Sequence, residues 1–190
     1  MSAAWEIYLD VDGVCADFIG PALSLVKLDP KAVLARWASE FQGDFYPQAL
    51  LGMPRQDFFL EIDRHGAGFW RDLPAYPWFK DLHQGLAQHG QVLFLTAPTG
   101  YPDCLAGKYQ WLCDRFGKGF DDCIFTSHKA RLAHSRAILI DDSDANIRQF
   151  CDRGGHGVVF PQVWNSAGAC EDPLQAVLQA VTKLVQDQQH

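Results

Sequence analysis

The sequence predicts an α/β fold in which helices cover both faces of a doubly wound, parallel, five-stranded sheet. Two observations support this prediction. Short apolar segments of nearly continuous hydrophobicity alternate along the chain with helical patterns, as expected for strands that are covered on both faces. The alternation is interrupted by a long stretch after the first segment that contains no strand-like run. Alternating strands and helices imply parallel strands joined by right-handed crossovers.

Five apolar segments are predicted to be strands, and four helical patterns lie between or after them. The strands are WEIYL (5–9), QVLFLT (91–96), CIFT (123–126), AILID (137–141) and HGVVF (156–160). The helices are predicted at about 79–89, 104–116, 143–151 and 173–187. The last helix begins at Asp172 and Pro173, an acid followed by a proline in the first turn. The pattern as a whole predicts a Rossmann-like sheet.

Residues 18–73 interrupt the alternation of strands and helices. Within them, PALSLVKL and PKAVLARWASEF have helical patterns, so we predict a small, mainly helical cap lobe. The core domain would then consist of residues 1–17 and 74–190, and the cap lobe of residues 18–73. Because the insertion starts soon after Asp10 and Asp12, the two acids that follow the first strand, we expect the cap to fold back over them as a lid.

Composition and charge exclude several classes of partner. The formal net charge of −7 over 190 residues disfavours a surface for nucleic-acid polymers, which needs clustered Lys and Arg. No apolar stretch reaches the roughly 18 to 20 residues of a membrane helix. The strand-like pattern begins by residue 5, so we expect no signal peptide and a cytoplasmic location. The six cysteines lack C-x-x-C spacing, which predicts neither a zinc site nor a disulfide framework. A monomer and a homodimer both remain open.

Polar side chains follow four of the predicted strands at their carboxyl ends, where open α/β sheets bind ligands. They are Asp10, Asp12, Thr96, Lys129, Asp141 and Asp142. Four carboxylates in one place would repel one another, so the arrangement indicates a hard divalent cation among them. Ligation by oxygen atoms alone favours magnesium, Mg²⁺. A metal held by acids beside a lysine is suited to binding phosphate.

The acidic motifs could also belong to a calcium loop or serve as local caps. An EF-hand loop needs glycine at its sixth position and glutamate at its twelfth. Counted from Asp10 or from Asp142, neither residue type stands at its position. Capping of a turn or of a helix N-terminus could account for either motif alone. It accounts less well for the presence of both motifs at matching strand ends beside Thr96 and Lys129.

The motifs at the strand ends resemble those of a known family. DVDGV, the threonine of FLTAP, the lysine of SHKARL, and LIDDSD look like the four motifs of the haloacid dehalogenase superfamily, in order. Within it, the chain is most similar to the 5'(3')-deoxyribonucleotidases, through DVDGVCADF, GFWRDLP, LTAP and GKYQWLCDRFG. Ala97 stands where that group usually has a serine, and Ser143 where an arginine is common. The lysine lies about two residues farther from the acidic pair, which leaves Arg131 as an alternative to Lys129.

The resemblance implies a role for each polar residue. Asp10 would attack phosphorus and form an aspartyl-phosphate, and Asp12 would act as general acid and then general base. The phosphate would be bound by Thr96, Ala97 and Lys129. The Mg²⁺ ion would be held by Asp10, the Asp12 carbonyl, Asp141 and Asp142. Of the last two, Asp142 is the expected direct ligand.

The resemblance also implies a small-molecule substrate, a deoxyribonucleoside monophosphate. Phe18, Phe69 and Trp70 fall where it places the walls of a base-stacking pocket, and an apolar wall tolerates a missing 2'-hydroxyl. About two-thirds of the aromatic residues between positions 37 and 79 are expected to form the core of the cap instead. KYQW at 108–111 could place Lys108 near the site, but we expect Lys108 to lie on a solvated helix face instead.

The predicted function is that of a magnesium-dependent phosphomonoester hydrolase acting on deoxyribonucleoside 5'(3')-monophosphates. Two alternatives stay open. The first keeps the machinery but changes the substrate to another small phosphate ester, such as a sugar phosphate. The second is a catalytically silent binding module that retains the fold, although such a module has no need of Asp12.

Overall fold

The computed structural model describes residues 4–188, and over this range the predicted fold class is confirmed. The sheet is fully parallel, with the strand order β3-β2-β1-β4-β5. Its strands are β1 (Trp5–Leu9), β2 (Gly90–Thr96), β3 (Cys123–Phe125), β4 (Ala137–Asp141) and β5 (His156–Val159). Each of them coincides with a predicted strand to within one residue at either end.

The central strands bring the polar ends of β1, β2 and β4 together. Every residue of β4 is buried, and β1 is nearly so, because helices cover both faces of these strands. Leu9 pairs with Phe94 on one side and with Ile140 on the other. This register places Asp10, the residue after β1, level with the ends of both neighbouring strands, where Asp141 lies.

Nine α-helices and one short 3-10 helix complete the described part of the chain. They are α1 (Ile19–Leu25), α2 (Pro30–Glu40), α3 (Gln48–Leu51), α4 (Arg55–Asp63), α5 (Gly66–Arg71), α6 (Phe79–Ala87), α7 (Pro102–Phe116), α8 (Asp144–Asp152), α9 (Pro173–Asp187) and the 3-10 helix Lys129–Leu132. Helix α7 begins two residues earlier than predicted, because Pro102 is accommodated in the first turn. Helix α9 has its predicted bounds, and the Asp172 side chain caps it by accepting from the Gln175 N–H.

The segment between β1 and α6 forms helices α1 to α5 and contains no strand, as the sequence predicts. Its side chains share one hydrophobic cluster with the sheet. Helix α5 packs against α7, and the Trp37 ring of α2 lies 5.8 Å from the Trp164 ring in the loop after β5. The division into a core domain and a cap lobe stays a prediction. Among residues 4–188, no helix is both long enough and apolar enough to cross a membrane.

Candidate active site

A tight turn after β1 presents the first two acids. The Asp10 N–H donates to the Ile140 carbonyl (2.9 Å), and Asp10 Oδ1 accepts from the Val11 N–H (2.8 Å). Gly13 then adopts a φ of +76°, which glycine reaches without a steric penalty. A Cβ atom at Gly13 would collide with the Asp142 carboxylate. The turn therefore needs glycine both for its backbone conformation and for its close approach to the second acidic motif.

Three carboxylates and one ammonium group form a buried cluster at the end of the sheet. Asp10, Asp141 and Asp142 each place one oxygen within 4.8 Å of the others. Lys129 Nζ lies 2.7 Å from Asp10 Oδ1 and 2.6 Å from Asp141 Oδ2. Burial lowers the pKa of Lys129, but these two acids outweigh burial, and the pKa is raised overall. The structure thus brings together four of the residues that the sequence predicts for the site.

One lysine does not balance three buried acids. The pKa of Asp10 is raised to about 7, chiefly by burial, which Lys129 opposes and which Asp141 and Asp12 reinforce. Burial, Asp141 and Asp10 also hold the pKa of Asp142 well above its usual range. Carboxyl groups with raised pKa values are poorly stabilised as anions. A divalent cation at this point would stabilise the ionised forms.

The two neighbouring acids at the end of β4, Asp141 and Asp142, differ in their partners. Asp141 Oδ1 accepts from the Ser143 N–H (2.8 Å), and both of its oxygens lie 3.1 Å from Asn146 Nδ2. Asp142 Oδ2 accepts from Trp164 Nε1 (2.8 Å), and Asp142 lines the main cavity, which Asp141 does not. Asp141 is therefore committed to protein donors, whereas Asp142 faces the space where a ligand would bind.

The residues present fit a magnesium ion. The donors are carboxylate oxygens, with the Asp12 carbonyl nearby in the chain, and Mg²⁺ prefers such oxygen ligands. The cluster is buried and lacks enough positive charge of its own, and the missing Cβ of Gly13 keeps the Asp142 carboxylate free to face it. Among the described residues this is the group whose His, Cys, Asp and Glu side chains could hold a metal.

Lys108 does not lie on a solvated helix face, so that prediction is wrong. Its side chain is 2% exposed, and its Nζ forms an ion pair with Asp12 Oδ2. The same nitrogen donates to Thr96 Oγ1 (3.1 Å) and to the Ala97 carbonyl (2.6 Å). The reason is helical periodicity, because Cys104 and Trp111 stand four residues before and three after it and are also buried.

Thr96 and Ala97 lie at the end of β2, beside the acids. The Thr96 side chain is fully buried and its oxygen accepts from Lys108. Ala97 lines the main cavity, although its methyl group offers no hydrogen bond to a phosphate. Lys129 also lines this cavity. The predicted phosphate-binding residues thus lie close to the acids.

The main cavity has a volume of about 1060 Å³ and joins the acids to an aromatic wall. Phe18 and Trp70 line it, and their rings stack with centroids 5.4 Å apart. Phe18 also stacks on Phe59 at 5.8 Å. Phe69 is not among the lining residues but packs edge-on against Phe18 and Trp70. Phe69 therefore supports the wall from behind.

The exposed part of the aromatic wall is formed by Phe45, a residue that the sequence does not predict for the site. Trp70 is 1% exposed, so it offers almost no surface to a ligand, whereas Phe45 lines the same cavity and is 41% exposed. The guanidinium carbon of Arg55 lies 5.6 Å from the centroid of Phe45 and 5.5 Å from that of Phe59. Nothing in the local sequence distinguishes Phe45 from the other aromatic residues of its segment.

The loop after β5 is a part of the site that the sequence does not predict. Besides the bond from Trp164 to Asp142, Asn165 Nδ2 donates to the Asp142 carbonyl (2.9 Å), and Gln162 Nε2 donates to the Gly13 carbonyl (2.6 Å). These side chains hold the two acidic turns together. They lie about twenty residues after Asp142 in the sequence, so the local sequence pattern does not indicate that they contact the acids.

Comparison with known proteins identifies the family. Residues 5–172 match the family model described as 5' nucleotidase, deoxy (pyrimidine), cytosolic type C protein. The chain belongs to this family. A candidate 5'(3')-deoxyribonucleotidase of Staphylococcus aureus strain MSSA476 is 25% identical over 160 residues, which is 84% of each chain. A candidate enzyme of the same description from strain Mu50 matches to the same extent.

Solved structures of haloacid dehalogenase-like hydrolases share the fold. One from Xanthomonas campestris superposes with a TM-score of 0.57 at 16% identity, covering 99% of this chain and 95% of its own. The candidate hydrolase YfnB of Bacillus subtilis, which was solved with bound magnesium, gives a TM-score of 0.52 at 16% identity, covering 84% and 87%. The family match confirms the resemblance to the 5'(3')-deoxyribonucleotidases that the motifs indicate, and the chain is a phosphatase of the nucleotidase type.

Proposed function

We propose that this phosphatase is magnesium-dependent, forms an aspartyl-phosphate on Asp10, and hydrolyses deoxyribonucleoside monophosphates. One observation supports this most directly. Asp10 and Asp12 face one cavity together, and the buried Asp12 Oδ1 has no hydrogen-bond partner among the described residues. A buried polar atom without a partner destabilises the fold unless a ligand or water satisfies it. We infer that the substrate completes this hydrogen bond.

The proposed reaction has two steps, and both use the chain's own carboxylates. In the first, an Asp10 oxygen bonds to phosphorus, the bond from phosphorus to the ester oxygen breaks, and Asp12 gives a proton to the departing alcohol. In the second, a water oxygen attacks phosphorus and passes a proton to Asp12. The bond between Asp10 and phosphorus then breaks, which releases inorganic phosphate and restores the carboxylate.

The residues around Asp10 support its role as nucleophile. Lys129 and the Val11 N–H both bind Asp10 Oδ1, which fixes the carboxylate and leaves Oδ2 for the attack on phosphorus. When bound, Mg²⁺ would supply positive charge that lowers the repulsion between the carboxylate and an anionic phosphate. We propose Asp10, the Asp12 carbonyl and Asp142 as its direct ligands, with Asp141 positioned by its protein donors to act behind them.

The proposed substrate follows from family membership and from the cavity. A cavity of about 1060 Å³ can hold more than a phosphate group. Its apolar part includes the exposed Phe45 and the partly exposed Phe59 beside the Arg55 guanidinium. An aromatic face suits the flat ring of a nucleobase, and guanidinium N–H groups suit its carbonyl oxygens. The wall that Phe18 and Trp70 form is less open, since these rings already stack on each other.

The test is phosphate release from a panel of purified substrates, with and without added Mg²⁺. The panel contains deoxyribonucleoside and ribonucleoside 5'- and 3'-monophosphates, a sugar phosphate and p-nitrophenyl phosphate. We expect the highest kcat/KM with a deoxyribonucleoside monophosphate. Equal or higher kcat/KM with the sugar phosphate would favour that second substrate class. Absence of turnover on every ester with Mg²⁺ present would favour the silent binding module. The cytoplasmic location stays a prediction, and size-exclusion chromatography distinguishes a monomer from a homodimer.

A further inference from the structure

Lys108 uses all three of its ammonium N–H groups on the protein. Its acceptors are Asp12 Oδ2, Thr96 Oγ1 and the Ala97 carbonyl. These groups follow β1 or end β2, so one side chain from α7 joins the ends of two neighbouring strands. An ammonium group has three donors and no acceptor. Lys108 therefore has no N–H left for a phosphate oxygen, and a direct role in phosphate binding does not fit the geometry.

Packing of α7 fixes the position of Lys108. A Cβ atom at Gly107 would clash with the Ala67 carbonyl and with the Trp70 side chain, so glycine allows α7 to approach α5 closely. Lys108 Nζ then lies 4.9 Å from the centroid of the Trp70 ring, a distance typical of cation–π contacts. Cys104 and Trp111 are buried on the same face of α7. The Lys108 side chain therefore lies on the packed face of the helix.

The two carboxylate oxygens of Asp12 have different environments. Oδ2 is paired with Lys108, whereas Oδ1 is buried without a partner among the described residues. We propose that Lys108 is a positioning residue that holds Asp12 by Oδ2 and leaves Oδ1 for proton transfer. This inference rests on the proposed role of Asp12 in the reaction.

A positioning role predicts a loss in kcat with little change in KM. Misplacing a catalytic group by about 1 Å can lower a rate on the order of 10²-fold. We expect Lys108→Met, which keeps side-chain length and removes the ammonium, to lower kcat on a deoxyribonucleoside monophosphate by roughly 10- to 10²-fold. KM should stay within about 3-fold, since no Lys108 donor is free for the substrate.

A double-mutant cycle with Asp12→Asn is the decisive experiment. If Lys108 acts through Asp12, adding Lys108→Met to Asp12→Asn should lower kcat by no more than about 3-fold further. Losses that multiply in the double variant would overturn the proposal, because they would show that Lys108 acts independently of Asp12. A rise in KM of about tenfold or more with kcat unchanged would overturn it too, since it would indicate substrate binding.

Gln110→Met is the matched control, because Gln110 lies two residues further along α7 on the exposed face. It should leave kcat and KM within about 2-fold of the unsubstituted protein. Thermal unfolding checks that each variant is folded. If Lys108→Met does not fold, Lys108→Gln enters the same cycle with the same expected outcomes.

A second measurement separates proton transfer from general damage. In single-turnover experiments with p-nitrophenyl phosphate, the leaving group needs little protonation, so the first-step rate of Lys108→Met should fall much less than it does with the deoxynucleotide. An equal fall on both substrates would contradict the proposal. The substrate panel for the unsubstituted protein tests the proposed function separately. If that protein hydrolyses a different phosphate ester, the cycle is run on that ester and still tests Lys108.

Discussion

The two sides of the main cavity differ in how their side chains find partners. On the polar side, Lys129 Nζ is paired with Asp10 at 2.7 Å and with Asp141 at 2.6 Å. On the aromatic side, Phe18 stacks on Trp70, and the more exposed ring is Phe45. The two acids come from strand ends whose register is fixed by the sheet, and Lys129 begins the 3-10 helix that follows β3. The aromatic residues come from helices and loops whose arrangement depends on packing.

This difference explains which sequence-based predictions the structure supports. Strand ends of a parallel sheet meet at one edge, so residues that follow strands can be placed from sequence alone. Aromatic side chains serve equally well in a core and in a binding site. Their exposure is decided by neighbours far away in sequence. We therefore expect substitutions on the polar side to affect the chemistry, and those on the aromatic side to separate substrate binding from stability.

The largest expected effect is the loss of the proposed nucleophile. Asp10→Asn should lower kcat at least 10²-fold, because an amide cannot form the acyl-phosphate bond that a carboxylate forms. Asp12→Asn should also lower kcat at least 10²-fold, the usual contribution of a general acid. Phosphate release measures both. More than about a tenth of the original kcat in either variant would contradict the assigned role, provided that circular dichroism shows an unchanged fold.

Removal of a metal ion from the polar side of the cavity should lower kcat by a similar factor. Excess EDTA is expected to abolish phosphate release, and added Mg²⁺ to restore it, because the buried acids lack sufficient positive charge of their own. A matched sample with EDTA already saturated by Mg²⁺ controls for direct effects of the chelator. Full turnover in free EDTA would refute the proposed metal dependence.

Substitution of Gly13 tests how closely the turn after β1 must approach Asp142. Gly13→Ala places a methyl group against the Asp142 carboxylate at a φ of +76°. We expect kcat to fall at least 10-fold and the free energy of unfolding to fall by about 1–3 kcal/mol. Gly52→Ala is the matched control, since Gly52 also has a positive φ (71°) but a Cβ atom added there would meet no other atom within 4 Å. Equal losses of kcat in both variants would show that backbone strain, rather than proximity to Asp142, matters.

On the aromatic side, where no catalytic group is removed, the expected effects are of two kinds. Phe45→Ala should lower kcat/KM for deoxynucleotides by roughly 5- to 150-fold, the value of a stacked base, and change p-nitrophenyl phosphate hydrolysis much less. Trp70→Ala should instead lower the free energy of unfolding by about 3–5 kcal/mol, because it removes a buried ring.

Phe69→Ala sharpens the same comparison, since Phe69 supports Phe18 and Trp70 without lining the cavity. Its effect should follow that of Trp70→Ala and be similar on both substrate types. Chemical denaturation gives the stabilities and initial rates give kcat/KM. A nucleotide-selective loss in Trp70→Ala or Phe69→Ala, with Phe45→Ala unaffected, would restore the base-binding wall that the sequence alone suggests.

The sequence by itself determined the sheet, the order of its helices and the acidic end of the site. Continuous apolar runs such as WEIYL and AILID specify buried strands, and the acids at their carboxyl ends, Asp10 after the first and Asp141 at the end of the second, must lie at one edge. Only the tertiary structure decided that Lys108 turns inward and that Trp164 binds Asp142. It also decided that Phe45, rather than Trp70, is the exposed ring. The physical reason is that strand geometry is a local property with a fixed period, whereas burial and pairing depend on which distant surfaces pack together.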